Sequence, residues 1–140
     1  MTTVKTSDLK VGDIIRQRLV EDLKRTQIVQ YAGASGDYNP LHTDEIFTTQ
    51  VAGYPSVFAH GMLTMGMTGV MLTDHFGDGK LTKFGVRFTS QVWPGDTLDA
   101  TATVQRVFEQ DGAKLVELEV AATNQYGVEV LKGYAEARVD

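Results

Sequence analysis

The chain has 140 residues, 42% of them hydrophobic, with 13 Lys and Arg against 18 Asp and Glu, a formal net charge of -5 and no cysteine. That size suits one domain with its own core, spanning 1–140, and the acidic balance lacks the clustered cations that a phosphate backbone demands, so nucleic acid is not an expected partner. Without cysteine there is no disulfide and no thiolate metal ligand, and Met1-Thr2-Thr3-Val4-Lys5 lacks the apolar run of a secretion signal, so the simplest reading is a cytoplasmic protein.

Leu9-Lys10-Val11-Gly12-Asp13 reads as an opening turn and Ile14 to Val20 as a first strand. Lys24 to Ala34 then carries Ile28, Tyr31 and Ala32 at helical spacing, with Gly33 as the stop signal. The next run, Ser35-Gly36-Asp37-Tyr38-Asn39-Pro40-Leu41-His42, sets a carboxyl, an amide and an imidazole within six residues. Pro40 biases Asn39 away from helical angles, so the run reads as a stiff loop on which Asp37 and His42 converge as an acid/base pair. A short helix follows, with Asp44 and Glu45 in its first turn at the positive end of the dipole.

From Ile46 to Thr73 there are 28 residues without Asp, Glu, Lys or Arg. That length raises a membrane span, but Pro55, His60, four glycines and several Ser and Thr make it buried protein instead. His60 to Phe76 reads as a helix with Met62, Leu63, Met65, Met67, Val70, Met71 and Leu72 around its whole circumference. Such a helix must be covered on every side. Gly66 and Gly69 let a sheet approach its backbone, which offsets a propensity cost of about 1 kcal/mol each.

The covering comes from strands at Leu81 to Val92, Thr97 to Glu109, Ala113 to Asn124 and Val128 to Val139. Pro94-Gly95, Asp111-Gly112 and Tyr126-Gly127 mark their corners, the second as a type I′ hairpin turn. With the first strand this makes an α+β architecture of about five antiparallel strands around one central helix. One curved sheet covers one side only, so a second copy is expected to cover the rest.

Chemistry-bearing residues outside the loop carry plainer alternatives. Gly61 opens the long helix, where the first N–H groups are unsatisfied, the dipole favours negative charge, and the missing Cβ permits close approach. His60 reads as an orienting or capping residue, Ser35 as a hydrogen bonder at a helix end, and His75 as solvent-facing in the last helical turn. Asn39 either braces the loop through its own backbone or also reaches a water or His42. The three histidines lack metal-ligand spacing, so no metal is expected. Lys80, Lys83, Arg87 and Lys132 are either surface cations or contacts for phosphates.

The run Tyr31 to His42, joined to Phe58-Ala59-His60-Gly61-Met62-Leu63-Thr64-Met65-Gly66, resembles the MaoC-like, or hydratase 2, branch of the hot-dog fold. Val86-Arg87-Phe88 and Pro94-Gly95-Asp96-Thr97-Leu98 extend the likeness over nearly the whole chain. The resemblance implies an overhanging motif segment above the central helix, and a homodimer, or a heterodimer of related chains. It implies a hydro-lyase of fatty acid metabolism that adds water syn to a trans-2-enoyl-CoA, giving the (R)-3-hydroxyacyl thioester, or runs the reverse. The family's acid/base pair falls on Asp37 and His42, its supporting amide on Asn39, and its oxyanion donor on the backbone N–H of Gly61. No cofactor, nucleic acid or membrane is implied. Lys24 stands where the family often has a Thr cap, which leaves open how the first helix starts.

Hydration needs a proton taken from water, a proton given to Cα and a donor for the thioester oxygen, and these residues supply all three. A water held between Asp37 and His42 meets an imidazole whose ordinary pKa, about 6.5, is near working pH. The same residues suit a 3-hydroxyacyl dehydratase working on acyl carrier protein. A hot-dog thioesterase places a carboxylate on the central helix, which here has no acid before Asp74. A non-catalytic acyl-thioester binder has no chemical need for the intact Asp37, Asn39 and His42 set.

Overall fold

The computed structural model describes residues 5–139. After one 3-10 turn at Thr6–Asp8, the elements are β1 (Ile14–Val20), α1 (Arg25–Ser35), α2 (Pro40–Thr43), a π-helical turn (Phe47–Val51), α3 (Gly61–Phe76), β2 (Leu81–Phe88), β3 (Leu98–Gln110), β4 (Ala113–Thr123) and β5 (Glu129–Arg138). The strands form one antiparallel sheet in the order β1-β3-β4-β5-β2. β3, β4 and β5 are a meander joined by tight turns. Asp111 and Gly112 take φ of 53° and 78°, the two left-handed positions that a type I′ hairpin needs. β1 and β2 are left as the two edges.

Sheet and helix meet through alternation. Along β3, Leu98, Ala100, Ala102 and Val104 are buried while Asp99 is exposed, the period-two pattern of a sheet with one dry face. Met71, Leu72 and Phe76 of α3 share a core with those residues and with Leu118, Val120, Leu131 and Ala135. Alanines at 100, 102, 122, 135 and 137 are fully enclosed, and so small a side chain lets the sheet curl tightly over the helix.

Several expectations are corrected. α1 runs through Gly33 and stops at Gly36, whose φ of 77° turns the chain while its N–H reaches the Ala32 carbonyl. At its start, the Gln27 side chain accepts the Lys24 N–H at 2.9 Å, while Lys24, a donor only, caps none of the first helical N–H groups as a Thr would. Asp44 lies before its turn rather than in it, accepting the Phe47 N–H at 3.0 Å. β2 ends at Phe88 instead of Val92: the Thr89 N–H still donates to the Val130 carbonyl at 2.9 Å, but its hydroxyl donates to the Glu129 carbonyl at 2.8 Å and uses up the start of β5. Beyond Thr89 the chain leaves the sheet, and the Val92 carbonyl accepts the Ala59 N–H instead.

The two helical glycines part company. A Cβ on Gly69 would stand 3.4 Å from the Phe84 ring, the expected close approach, whereas Gly66 faces open space. Gly66 belongs to an exposed stripe, Met62, Gly66 and Val70, and Met62 and Val70 are each 55% exposed. His75 is half-buried, with its Nε2 enclosed, rather than solvent-facing.

The tightest backbone approach lies between β5 and β2, where a Cβ on Gly133 would sit 1.9 Å from the Gly85 carbonyl oxygen and 2.7 Å from the Val86 Cα. Backbone cannot yield as a side-chain tip can. Gly133→Ala is therefore expected to lower unfolding free energy by about 3 kcal/mol or more, measured by urea denaturation.

Candidate active site

The loop between α1 and α2 is built by its own polar side chains. The Ser35 Oγ accepts the Asp37 N–H at 3.2 Å, Asp37 Oδ1 accepts the Asn39 N–H at 3.2 Å, and Asn39 Oδ1 accepts the Leu41 N–H at 3.0 Å. Asn39 thereby caps α2, with Pro40 in its first turn. The amide braces the bend, as the first of its two expected uses, and is not among the residues lining the pocket described below.

A second segment, residues 57–60, crosses beneath this loop and is stitched to it. The Leu41 carbonyl accepts the Phe58 N–H at 3.2 Å. His42 Nδ1–H donates to the Phe58 carbonyl at 2.6 Å, and His60 Nε2–H donates to the Asp37 carbonyl at 2.9 Å. The two rings stack with centroids 3.8 Å apart, and Tyr31 meets the His60 ring edge-on at 4.8 Å. Because a carbonyl only accepts, these bonds fix the proton positions. In the neutral ring, His42 Nε2 holds the lone pair.

That nitrogen lies 4.0 Å from Asp37 Oδ2. The separation is too long for a direct hydrogen bond, yet a water about 2.8 Å from both atoms fits the triangle. The His42 side chain is largely covered and that of Asp37 is half-exposed. Both open on a pocket of about 270 Å³ whose lining also includes Tyr31, Ser35, His60, Gly61, Met62 and Phe88. His60 offers no side-chain cap to α3, and although the Leu63 N–H reaches the His60 carbonyl at 3.1 Å, Gly61 at the pocket wall is the first helical residue, whose N–H has no intrahelical acceptor.

The structure thus brings Ser35, Asp37, His42, His60 and Gly61 together. Sequence reasoning passed over three neighbours: Phe58, whose carbonyl sets the His42 tautomer, Tyr31 beside His60, and Phe88 across from Gly61. Phe58 and Tyr31 lie inside motif runs, but a backbone carbonyl and a ring edge leave no residue-type signal. Asp37, His42 and His60 also offer one carboxylate oxygen and two ring nitrogens within 4.8 Å of one another. A metal must lie in the plane of each imidazole, about 2.0–2.1 Å from the nitrogen. Rings stacked at an interplanar angle of 24° aim their lone pairs along nearly parallel planes and do not converge on one ion.

The overhanging segment is held down from outside by Glu45. Its Oε2 meets Arg25 Nη1 at 2.6 Å and accepts the Val57 N–H at 3.2 Å, joining α1, the residues just before the π-helical turn and the 57–60 segment.

A family model described as MaoC like domain matches residues 6–126. The 3-hydroxyacyl-thioester dehydratase Y of Mycobacterium tuberculosis is 46% identical over 67 residues, 46% of this chain and 23% of that protein. Enoyl-CoA hydratase ChsH3 of the same organism is 40% identical over 101 residues, 70% of this chain and 32% of that protein. The chain therefore spans less than a third of the length of either relative. Among solved structures, the unliganded R-hydratase PhaJ1 from Pseudomonas aeruginosa superposes with a TM-score of 0.80 at 24% identity, over 96% of this chain and 84% of the other. At that identity the likeness is one of fold.

The Arg25 guanidinium, and then the Val57 N–H, hold the Glu45 carboxyl below the ordinary carboxylate range. A carboxyl lowered by folding stabilises the fold fully above its unfolded pKa, and that contribution fades as pH falls through the folded value. Glu45→Gln is expected to lower the thermal midpoint at pH 7, with the gap to wild type closing as both are titrated below pH 4.5, read by circular dichroism melts.

Proposed function

The chain belongs to the MaoC-like dehydratase family with a hot-dog fold, and from that premise we propose that it is a hydro-lyase that hydrates trans-2-enoyl-CoA to (R)-3-hydroxyacyl-CoA, reversibly. The observation that carries the reading is the Asp37–His42 pair, 4.0 Å apart, facing the uncapped first turn of α3 across one pocket. Family members named for hydration and for dehydration are both similar to this chain, and one site serves both directions of a reversible reaction.

The thioester oxygen docks at the Gly61 N–H, and Cα and Cβ of the enoyl group lie under the water shared by Asp37 and His42. The water oxygen bonds to Cβ as the C=C π bond breaks, and the electron pair moves through Cα onto the thioester oxygen. A proton leaves water for the pair, where both Nε2 of neutral His42 and an ionised Asp37 carboxylate are acceptors. The pair returns a proton to Cα as the enolate collapses. Both hydrogens pass on one face, so addition is syn, and only one water is consumed. A donor such as Gly61 N–H, stronger toward the enolate than toward the ground-state carbonyl, is worth on the order of 3 kcal/mol in the transition state.

Asp37→Asn and His42→Ala are each expected to lower turnover of crotonyl-CoA at least a hundredfold, followed as loss of the conjugated enoyl-thioester absorbance, with the circular dichroism spectrum unchanged. Wild-type turnover at or below the rate of either variant overturns the reading. The second reading, a dehydratase on acyl carrier protein, rests on a relative from Arabidopsis thaliana, 36% identical over 93 residues, that is named 3-hydroxyacyl-[acyl-carrier-protein] dehydratase. Matched CoA and carrier-protein substrates decide it: a hundredfold carrier preference selects the second reading.

The assembly proposed with this function is a dimer joining two sheets edge to edge. The open edge of β2 and the stripe bearing Met62 and Val70 support it, because apolar residues at helical spacing next to an unpaired strand are what a second copy would cover. Light scattering at micromolar concentration is expected to give twice the 15.3 kDa of one chain. Val70→Asp is expected to move that mass toward the monomer.

A further inference from the structure

Next to the reaction pocket lies a second cavity of about 280 Å³, and Gly61 and Phe88 line both. Phe88 is the wall between them. A Cβ on Gly61 would stand 3.0 Å from Cδ2 and Cε2 of its ring, so one ring edge rests against the Gly61 backbone. The ring is the last side chain of β2 and is 49% exposed in the single chain, and after Thr89, whose N–H still donates to the Val130 carbonyl at 2.9 Å, the backbone leaves the sheet. A half-exposed phenyl ring changes rotamer about its own side-chain bonds without moving the strand.

The second cavity differs chemically from the first. Ala59, Thr64, Val92 and Val130 form a buried floor, Thr89 to Gln91 form the polar rim, and no charged residue or histidine lines it. A cavity meant for the phosphates of a carrier needs cations, and this one has none. The reaction pocket, at about 270 Å³, must already hold a water, the thioester and the reacting carbons. A longer acyl chain needs further uncharged space on the far side of Gly61.

We propose that Phe88 is a specificity-determining partition and that the cavity behind it receives the distal carbons of the acyl chain, with the ring turned aside for chains longer than about four carbons. The inference rests on the thioester reading of the site and adds to it the place and the gate of the acyl tail. No bond forms or breaks at Phe88. Its effect is on which substrates fit.

The test measures binding of saturated butyryl-CoA and octanoyl-CoA by calorimetry to wild type, Phe88→Ala and Phe88→Trp, beside hydration of the matching enoyl thioesters. Each newly buried methylene multiplies affinity about fourfold. Phe88→Ala is therefore expected to raise the octanoyl-to-butyryl affinity ratio at least tenfold, and Phe88→Trp to lower it at least threefold. Opposite shifts in the two variants support the partition, since damage to folding would weaken both ligands alike. A ratio within twofold of wild type in both variants overturns it, and so does a shift in the same direction in both. Shifted ratios without hydration by wild type would remove the hydratase reading and keep the acyl cavity. Hydration with unshifted ratios would do the reverse, and binding of neither thioester would end both.

Discussion

The site depends on a reciprocal pair of hydrogen bonds between two chain segments. His42, on the loop, donates to a carbonyl of the 57–60 segment, while His60, on that segment, donates to a carbonyl of the loop. The two imidazoles then lie one over the other, 3.8 Å apart. Neither segment has a β-ladder to hold it in place, so these bonds, with the backbone contact from Phe58 to Leu41, fix how Asp37 and His42 sit above α3. One geometry does three jobs: it fixes the tautomer of His42, sets the Asp37 carboxylate beside Nε2, and brings both over the first turn of the helix.

That helix turn lies where it does because of the core. Met71, Leu72 and Phe76 lock the C-terminal half of α3 under the sheet, and the enclosed alanines of β3, β4 and β5 let the sheet close around it. The N-terminal half then runs along β2, Gly69 beside the Phe84 ring and Gly61 beside that of Phe88, and so reaches the overhang. His60, only 2% exposed, is the last residue before the helix. A buried ring at that position ties the hydrophobic core to the loop bearing Asp37 by a single residue step. The Arg25–Glu45 pair closes the same structure from the solvent side by binding α1 to the Val57 backbone.

The absent side chain at Gly61 has two uses in one place. It lets a carbonyl oxygen reach the N–H, and it gives the Phe88 ring a surface to rest on that any Cβ would crowd. Chemistry and the division of the cavity space therefore meet at one residue. The 89–92 segment takes part in both, since leaving the sheet after Thr89 frees the Val92 carbonyl to pin Ala59 just before His60.

Local rules were enough for the sequence to determine the elements and the bend that brings Asp37 and His42 together. Alternation along β3, the Asp111-Gly112 turn and the uncharged run of α3 are short-range patterns, and Asp37, Pro40 and His42 lie close enough in sequence to be read as one bend. Tertiary structure decided what depends on residues far apart in the chain. The end of β2 was set by the bonds Thr89 makes to the start of β5 and by the Val92 carbonyl turning to Ala59, and the exposed stripe of α3 by which side the sheet could not reach. The proton positions on His42 and the wall formed by Phe88 were set by a carbonyl sixteen residues away and a glycine on another element. Hydrophobic period and turn type are written in neighbouring residues. Strand ends, tautomers and cavity walls are set by whatever the fold brings alongside.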